Sequence, residues 1–311
     1  MLLKFSTPKL LQIIDNMNIG GAQRSASSLM RMPGVEVELS TYETLNKYTN
    51  KHYDAVMLHV WCAFRDKLIM NWPKALDLSY DQIVVFNHDW HGWLDYGADK
   101  YIVYSQYAYE NTYADNQVYI VPGGIPTHHY IDIQPRSVNK PLIIGRLSTM
   151  LSGKISKDTI YFWKDIAVTQ FLIGGDGPQR ESLEAAFYED SRFIFPGAIS
   201  PRNVAQFLTQ IDIFLYDTTW HTESFGYVIL EAMAAGCIVV ARDKGALKEL
   251  IQHGYNGFLY TSDVEALSIC QYLINQPNLR LVISRTAHEF AFSYSLERFY
   301  ANVLAVFDWL I

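Results

Sequence analysis

The sharpest chemical signal in the chain is a pair of carboxylates eight positions apart, Glu223 and Glu231, with Ser224, Phe225, Gly226, Tyr227 and Val228 following the first. A short apolar run, Ile211–Leu215, comes just before them. This order predicts a strand, a loop carrying Glu223, a helix opening near Gly226, and Glu231 inside that helix. The amides around Phe225–Val228 would then be first-turn donors, and such donors suit a phosphate. Glu231 stands before Ala232-Met233-Ala234-Ala235-Gly236, an acid in a small apolar run. A buried charge needs partners. Ribose hydroxyls would serve, and so would a purely structural pairing.

Other residues stand where strands should end. Arg146 follows Leu142-Ile143-Ile144-Gly145 and precedes a polar stretch with Lys154 and Lys157. His88 closes Ile83-Val84-Val85-Phe86-Asn87, and a side chain at the carboxyl end of a parallel strand points toward the ligand crevice. Asn87–Trp93 supplies aromatic faces and polar edges that suit a sugar, with His91 as the rival histidine. Gly20 and Gly21 follow the first strand, where glycine lets the backbone approach a ligand closely or simply turn. Gly175, in Gly174-Gly175-Asp176-Gly177, and Gly197 close two further strands.

These residues need a scaffold of alternating strands and helices. In the first half, Leu10–Ile14, Val35–Ser40, Ala55–Val60, Gln82–Phe86, Tyr101–Tyr104 and Gln117–Val121 read as strands, with a helix over Ala22–Met30. In the second half, Leu142–Gly145, Phe171–Gly175, Arg192–Phe195, Ile211–Leu215 and Cys237–Ala241 read as strands. They alternate with helices over Pro178–Tyr188, Pro201–Gln210, Tyr227–Ala235 and Leu247–His253. Such alternation means parallel sheets covered on both faces. The expected fold is α/β, with two Rossmann-like domains facing a central cleft. Pro122–Pro126 is a breaker cluster and Asp132–Pro141 a polar, proline-flanked linker. The expected domains are 1–138, 139–295, and a terminal apolar-rich helix over 296–311 that returns to the first domain.

Composition narrows the classes. The 311 residues are half hydrophobic and 18% charged, enough for two buried cores. Net charge is −7 and both halves are mildly acidic, so no basic stripe for nucleic acid is encoded. No apolar run approaches the ~20 residues that span a bilayer, which leaves transient membrane contact at most. The start does not read as a signal peptide. Cys62, Cys237 and Cys270 are far apart and form no C-x-x-C pair. Neither a zinc site nor a disulfide framework is indicated, and a cytoplasmic location fits best.

Glu223–Glu231 resembles the E-x7-E motif of retaining GT-B glycosyltransferases. The wider string through Gly236, then Gly245-Ala246, Glu249-Leu250-Ile251, His253-Gly254 and Asn256-Gly257, is similar to glycosyltransferase family 4. Gly20-Gly21-Ala22-Gln23-Arg24, Gly145-Arg146-Leu147 and Gly174–Pro178 extend the likeness to both halves. The resemblance implies a donor such as a UDP-sugar or GDP-sugar, bound as substrate with no further cofactor. It places Glu231 on the ribose hydroxyls, Glu223 on the sugar hydroxyls, and the amides of Ser224–Val228 on the diphosphate. Gly175 and Gly197 would lie beside the base, Gly20 and Gly21 near the donor phosphate or acceptor, and His88 near the transferred sugar. Expulsion of a nucleoside diphosphate builds negative charge that a metal or fixed cations must meet. No D-x-D pair occurs in the chain. Arg146 with Lys154, or alternatively Lys157, is therefore expected to supply the cations, and no metal site is expected. The acceptor is left open: a glycan, a lipid or a small molecule. The competing readings are an inactive nucleotide-sugar-binding protein and a sugar-nucleotide epimerase on the same fold.

Overall fold

A computed structural model describes residues 7–14, 20–60, 78–89, 92–94, 97–114, 116–133, 141–218 and 220–307. The chain divides into two compact units. The first comprises Met1–Gly124 with Leu296–Ile311, and the second Ile125–Ser295.

The first unit holds a six-stranded sheet in the order β2-β1-β3-β4-β6-β8. The strands are β1 (Lys9–Ile14), β2 (Glu36–Thr41), β3 (His52–Val60), β4 (Ser79–Asn87), β6 (Lys100–Val103) and β8 (Gln117–Ile120). All pair in parallel. Two short strands, β5 (Gly92–Leu94) and β7 (Thr112–Ala114), pair separately. The chain leaves β1 toward one side for β2 and returns to the other side for β3. That reversal makes a crevice at the carboxyl ends of β1 and β3. The helix α1 (Gly20–Leu29) follows β1, and α2 (Gln106–Glu110) follows β6. Leu11, Ile13, Val56, Leu58, Val85 and Tyr101 are among the buried residues of this unit's core.

The second unit repeats the plan in the order β11-β10-β9-β12-β13-β14. Its strands are β9 (Ile143–Leu147), β10 (Gln170–Gly174), β11 (Phe193–Gly197), β12 (Ile213–Tyr216), β13 (Ile238–Arg242) and β14 (Phe258–Tyr260), all parallel. The reversal here falls between β9 and β12. The helices are α3 (Lys157–Ile160), α4 (Arg180–Phe187), α5 (Val204–Leu208), α6 (Tyr227–Ala234), α7 (Leu247–Leu250), α8 (Asp263–Asn275) and α9 (Pro277–Phe292). Gly145 is demanded by the packing: a Cβ there would sit 2.5 Å from Ile211 Cδ1 and 2.7 Å from the Leu172 carbonyl oxygen.

The α/β class with two parallel Rossmann-like sheets is as expected. Several details differ. The units divide at Gly124–Ile125, not at 138, because Ile125 pairs with the end of the second unit: its amide donates to the Tyr294 carbonyl at 2.8 Å and it bridges Ser295. The strands β5, β7 and β14 and the helices α2, α3, α8 and α9 were not read from the sequence. Gly20 and Gly21 open α1 as helical residues, so they are first-turn backbone and not a loop.

The last helix, α10 (Leu296–Leu304), belongs to the first unit. Tyr300 donates to the Ser28 carbonyl at 3.0 Å, and Lys100 Nζ donates to the Val306 carbonyl at 2.7 Å. Phe299 lies against Phe86, 6.3 Å between ring centres. Residues 308–311, most of the expected linker (134–140), Cys62, Trp61, Trp72, Trp90 and His91 lie outside the described residues.

Candidate active site

The second unit gathers charge at the β9/β12 reversal. Arg146, near the end of β9, is completely buried. Its guanidinium lies 4.4 Å from the Tyr216 ring centre at the end of β12. It donates from Nη2 to the Lys154 carbonyl at 2.6 Å, from Nε to Ser148 Oγ at 3.2 Å, and from Nη1 to the Asp217 carbonyl. Burial lowers its pKa from the usual guanidinium value, against the pull of Tyr216 and Asp217. Arg146 thus ties the loop after β9 to the end of β12, and through its carbonyl holds Lys154 in place.

Lys154 points at Glu223, Nζ to Oε1 3.0 Å. Tyr216 donates to the same oxygen at 2.7 Å, and His221 Nε2 lies 3.2 Å from it. Burial alone would raise the Glu223 pKa. Lys154, His221 and Tyr216 together outweigh that, and the carboxyl is held well below its usual range. Burial, and after it the Glu223 charge, push the Tyr216 phenol far above its ordinary value. The backbone of Glu223 is also pinned, since Ala246 N donates to its carbonyl at 3.2 Å. Gly245 (φ +60°) permits this contact: a Cβ there would meet Thr222 Cγ2 at 2.6 Å and the Glu223 carbonyl oxygen at 2.8 Å.

Gly226 caps α6 with φ +99°, and the first helical bonds run from Ile229 and Leu230 to its carbonyl. Tyr227 and Val228 form the first turn, with Ser224 and Phe225 just ahead of it. The ring of buried Phe225 stands edge-on to Tyr227, 5.0 Å between centres. Glu231 lies one turn further in and is 5% exposed. A carboxylate loop followed directly by a helix N-terminus is therefore present as the spacing predicted.

Gly175 and Gly197 act on backbone packing. Gly175 (φ +127°) could not carry a Cβ, which would stand 1.9 Å from the Ser148 carbonyl oxygen. Gly175 N donates to the Gly197 carbonyl at 2.8 Å, and Met150 N to the Asp176 carbonyl at 2.8 Å. The close approach that Gly175 allows is to the loop after β9, and a Cβ at Gly197 (φ +83°) would meet the Arg180 guanidinium at 2.8 Å. Lys157 is exposed at the start of α3, so Lys154 is the lysine brought to Glu223.

The first unit places His88 in a different setting. Its Nε2 meets His59 Nδ1 at 2.8 Å, and its Nδ1 meets the Tyr104 hydroxyl at 2.8 Å. His59 Nε2 lies 2.8 Å from Gln12 Oε1, and Gln12 Nε2 donates to the Ala26 carbonyl at 3.2 Å. Tyr104 continues to Ser25. That carbonyl can only accept, so the Gln12 amide must present its oxygen to His59. His59 then carries its proton on Nε2, His88 donates from its own Nε2, and Tyr104 donates to His88 Nδ1. Every link is met with both imidazoles neutral. Burial pushes His59 down to about 3, and burial plus His59 holds His88 well below 6.5.

Sequence reasoning missed Tyr216, His221, His59, Gln12 and Tyr104, and gave Gly245 no role of its own. Tyr216 directly follows the expected strand Ile211–Leu215, a position that by itself marks a ligand crevice. His221 is two residues from Glu223. Nothing local points to His59 or Gln12.

Residues 143–273 match the family described as "Glycosyl transferases group 1". The match lies wholly within the second unit, and over those residues the chain is similar to the group 1 glycosyl transferases. The sulfoquinovosyl transferase SQD2 of Arabidopsis thaliana is 30% identical over 157 residues, 48% of this chain and 30% of that protein. The N-acetyl-alpha-D-glucosaminyl L-malate synthase of Bacillus anthracis is 37% identical over 123 residues, 38% of this chain and 31% of that one. The aligned part spans about a third of each of these relatives' length. The likeness in fold reaches further. The crystal structure of Anabaena HepE in complex with UDP and glucose matches with a TM-score of 0.75 at 17% identity, over 96% of this chain and 99% of that one. The group 1 match spans β9 through α8, and so includes Arg146, Lys154, Glu223 and Glu231. Among the described residues, no helix is long and apolar enough to cross a membrane.

Proposed function

We propose that this protein is a group 1 glycosyltransferase, metal-independent and retaining, that moves a sugar from a UDP- or GDP-sugar to a hydroxyl acceptor. The observation that carries the reading is the convergence on Glu223. An ionised, half-buried carboxylate with a lysine, a tyrosine and a histidine on one oxygen stands directly before a helix N-terminus. The carboxylate suits sugar hydroxyls, and the helix start suits the diphosphate. Glu231 suits the ribose. Lys154 supplies the mobile positive charge for the leaving group. Arg146, spent on two carbonyls, a hydroxyl and the Tyr216 ring, holds Lys154 and adds fixed charge behind it. Retention rests on the likeness of Glu223–Glu231 to the E-x7-E motif. HepE, of the same fold, was crystallised with UDP and glucose, which makes UDP-glucose the first donor to try.

In a same-face transfer the bond from the anomeric carbon to the β-phosphate oxygen breaks, and its electron pair leaves with the nucleoside diphosphate. The acceptor oxygen forms the new bond to that carbon, and its proton passes to the departing phosphate. Fixed cations favour this step because they face charge that grows as the bond breaks.

The test is release of nucleoside diphosphate from UDP-, GDP- and ADP-sugars in EDTA, with Glu223→Ala and Lys154→Ala alongside. Slow release with one donor, lost in both variants, is expected. Release only after a divalent metal is added would overturn metal independence. Binding with no turnover, with or without an acceptor panel, would favour an inactive binder, and an altered donor sugar would favour an epimerase.

A further inference from the structure

Among the described residues, every side chain that reaches the Glu223 carboxylate meets the same one of its two oxygens. Lys154 Nζ, Tyr216 Oη and His221 Nε2 all meet Oε1, at 3.0, 2.7 and 3.2 Å. Among the described residues, none forms a hydrogen bond with Oε2. Three donors on one side fix the direction of the carboxylate and leave its second oxygen to a ligand. The three are not equivalent. Tyr216 is buried at the end of β12, locked between Glu223 and the Arg146 guanidinium. Lys154 is a point charge on a flexible stem, and a diphosphate with two negative charges would compete for it. His221 is about one-third exposed, and its backbone is tied down: its amide donates to the Gly153 carbonyl at 3.2 Å, one residue from Lys154.

We infer that His221 is a positioning residue for Glu223: it shares Oε1 with Tyr216 once Lys154 turns to the diphosphate, so that Oε2 keeps its aim at a hydroxyl of the bound sugar. This rests on the proposed transferase reading and adds a residue to it. The geometry explains why a half-buried carboxylate carries more donors than one oxygen needs. With Lys154 withdrawn and no histidine, the carboxylate would keep a single hydrogen bond from Tyr216 and could swing about it. With His221 present, two donors from two different segments hold the same oxygen. A neutral imidazole donating from Nε2 is sufficient, so the role is one of direction and does not require a charged ring.

The experiment compares binding of UDP-glucose and UDP by calorimetry in the full chain, for wild type, His221→Phe and His221→Gln. GDP-mannose and GDP replace them if the wild type binds those instead. UDP reports the phosphate grip and the fold, and the ratio of the two affinities reports the sugar grip. In His221→Phe, UDP affinity is expected to hold within about twofold while the preference for UDP-glucose over UDP falls about tenfold, the loss of one hydrogen bond to a charged group. His221→Gln, which keeps a donor, is expected to recover most of that preference. An unchanged preference in His221→Phe overturns the inference. So does a His221→Gln variant no better than His221→Phe, which would assign the effect to ring packing. Equal losses for UDP and UDP-glucose overturn it too, since they mean a general disturbance of the loop. A wild type that binds none of these nucleotides fails at the earlier step, the transferase reading itself.

Discussion

The two units place a polar cluster at the same point of the same topology, and they fill it with opposite electrostatics. At the β1/β3 reversal, Gln12, His59, His88, Tyr104 and Ser25 form one directed chain of hydrogen bonds, closed by neutral groups. At the β9/β12 reversal, Arg146, Lys154 and Glu223 form a charged cluster around Tyr216. Neighbouring parallel strands whose connections leave to opposite sides open a crevice at their carboxyl ends. That opening can be filled by a neutral network, which rigidifies, or by charges, which recognise charge. The neutral chain has every ring nitrogen of His59 and His88 occupied. The charged cluster keeps a lysine and a carboxylate oxygen that a ligand can use.

The comparison breaks most readily at Arg146. Arg146→Met removes a buried cation with three hydrogen bonds and leaves the Lys154 and Asp217 carbonyls without their donor. A loss of about 3–5 kcal/mol is expected, a fall in Tm on the order of 10 °C, measured by calorimetry. A stability unchanged within 1 °C would mean that the loop after β9 does not depend on this residue.

A smaller effect, on function, is expected at Glu223. In Glu223→Gln the side chain keeps its shape and loses its charge. Turnover of the nucleotide sugar should fall about 10²–10³-fold, while affinity for the bare nucleoside diphosphate holds or rises because Lys154 is released. If diphosphate affinity fell in step with turnover, the carboxylate would be serving the phosphate side, and the division of labour between Glu223 and Lys154 would be wrong.

The third prediction sharpens the contrast through pH. His59 in the folded protein is held at about 3, against 6.5 ordinarily. The unfolded chain therefore binds more protons than the folded one between those values. Stability from this group is fully present above pH 6.5 and is lost as pH falls toward 3. Between pH 7.5 and 5.5 one such histidine costs about 1.4 kcal/mol, and His88 shifts in the same direction. In urea melts the wild type should lose stability over this range, and His59→Gln should lose less by about that amount. A variant with the same slope as wild type would show that His59 accepts a proton in the folded state, which the directed chain forbids.

Much of this was legible because it is local. Glu223, Gly226 and Glu231 lie within nine residues, and their spacing dictated a loop, a helix start and a buried acid whatever the rest of the chain does. Most of the strands could be read because a strand buried on both faces is a short apolar run with few other ways to fold. The short β14 was missed because Phe258–Tyr260 has only three residues, too few for a pattern. The start of the first helix was placed two residues late, at Ala22, because a glycine pair after a strand fits a loop and a helix start equally well.

The sequence by itself determined the alternation of strands and helices, the absence of a spanning helix among the elements it predicts, and the candidate carboxylates and cations. Each follows from residue type and short spacing. Only the tertiary structure decided what those groups do to one another. Lys154 was preferred to Lys157 when Arg146 caught its carbonyl across eight residues. Tyr216 and His221 joined Glu223 because β12 and the following loop bring them there. Gln12 and His59 come from β1 and β3 and His88 directly follows β4, with 47 residues separating Gln12 and His59 and 29 separating His59 and His88. Hydrogen bonds and ion pairs act over about 3 Å, and in a parallel sheet neighbours in space are separated in sequence by a whole strand–helix unit. The chemistry of each residue is written locally, but its partners are chosen by the crossovers.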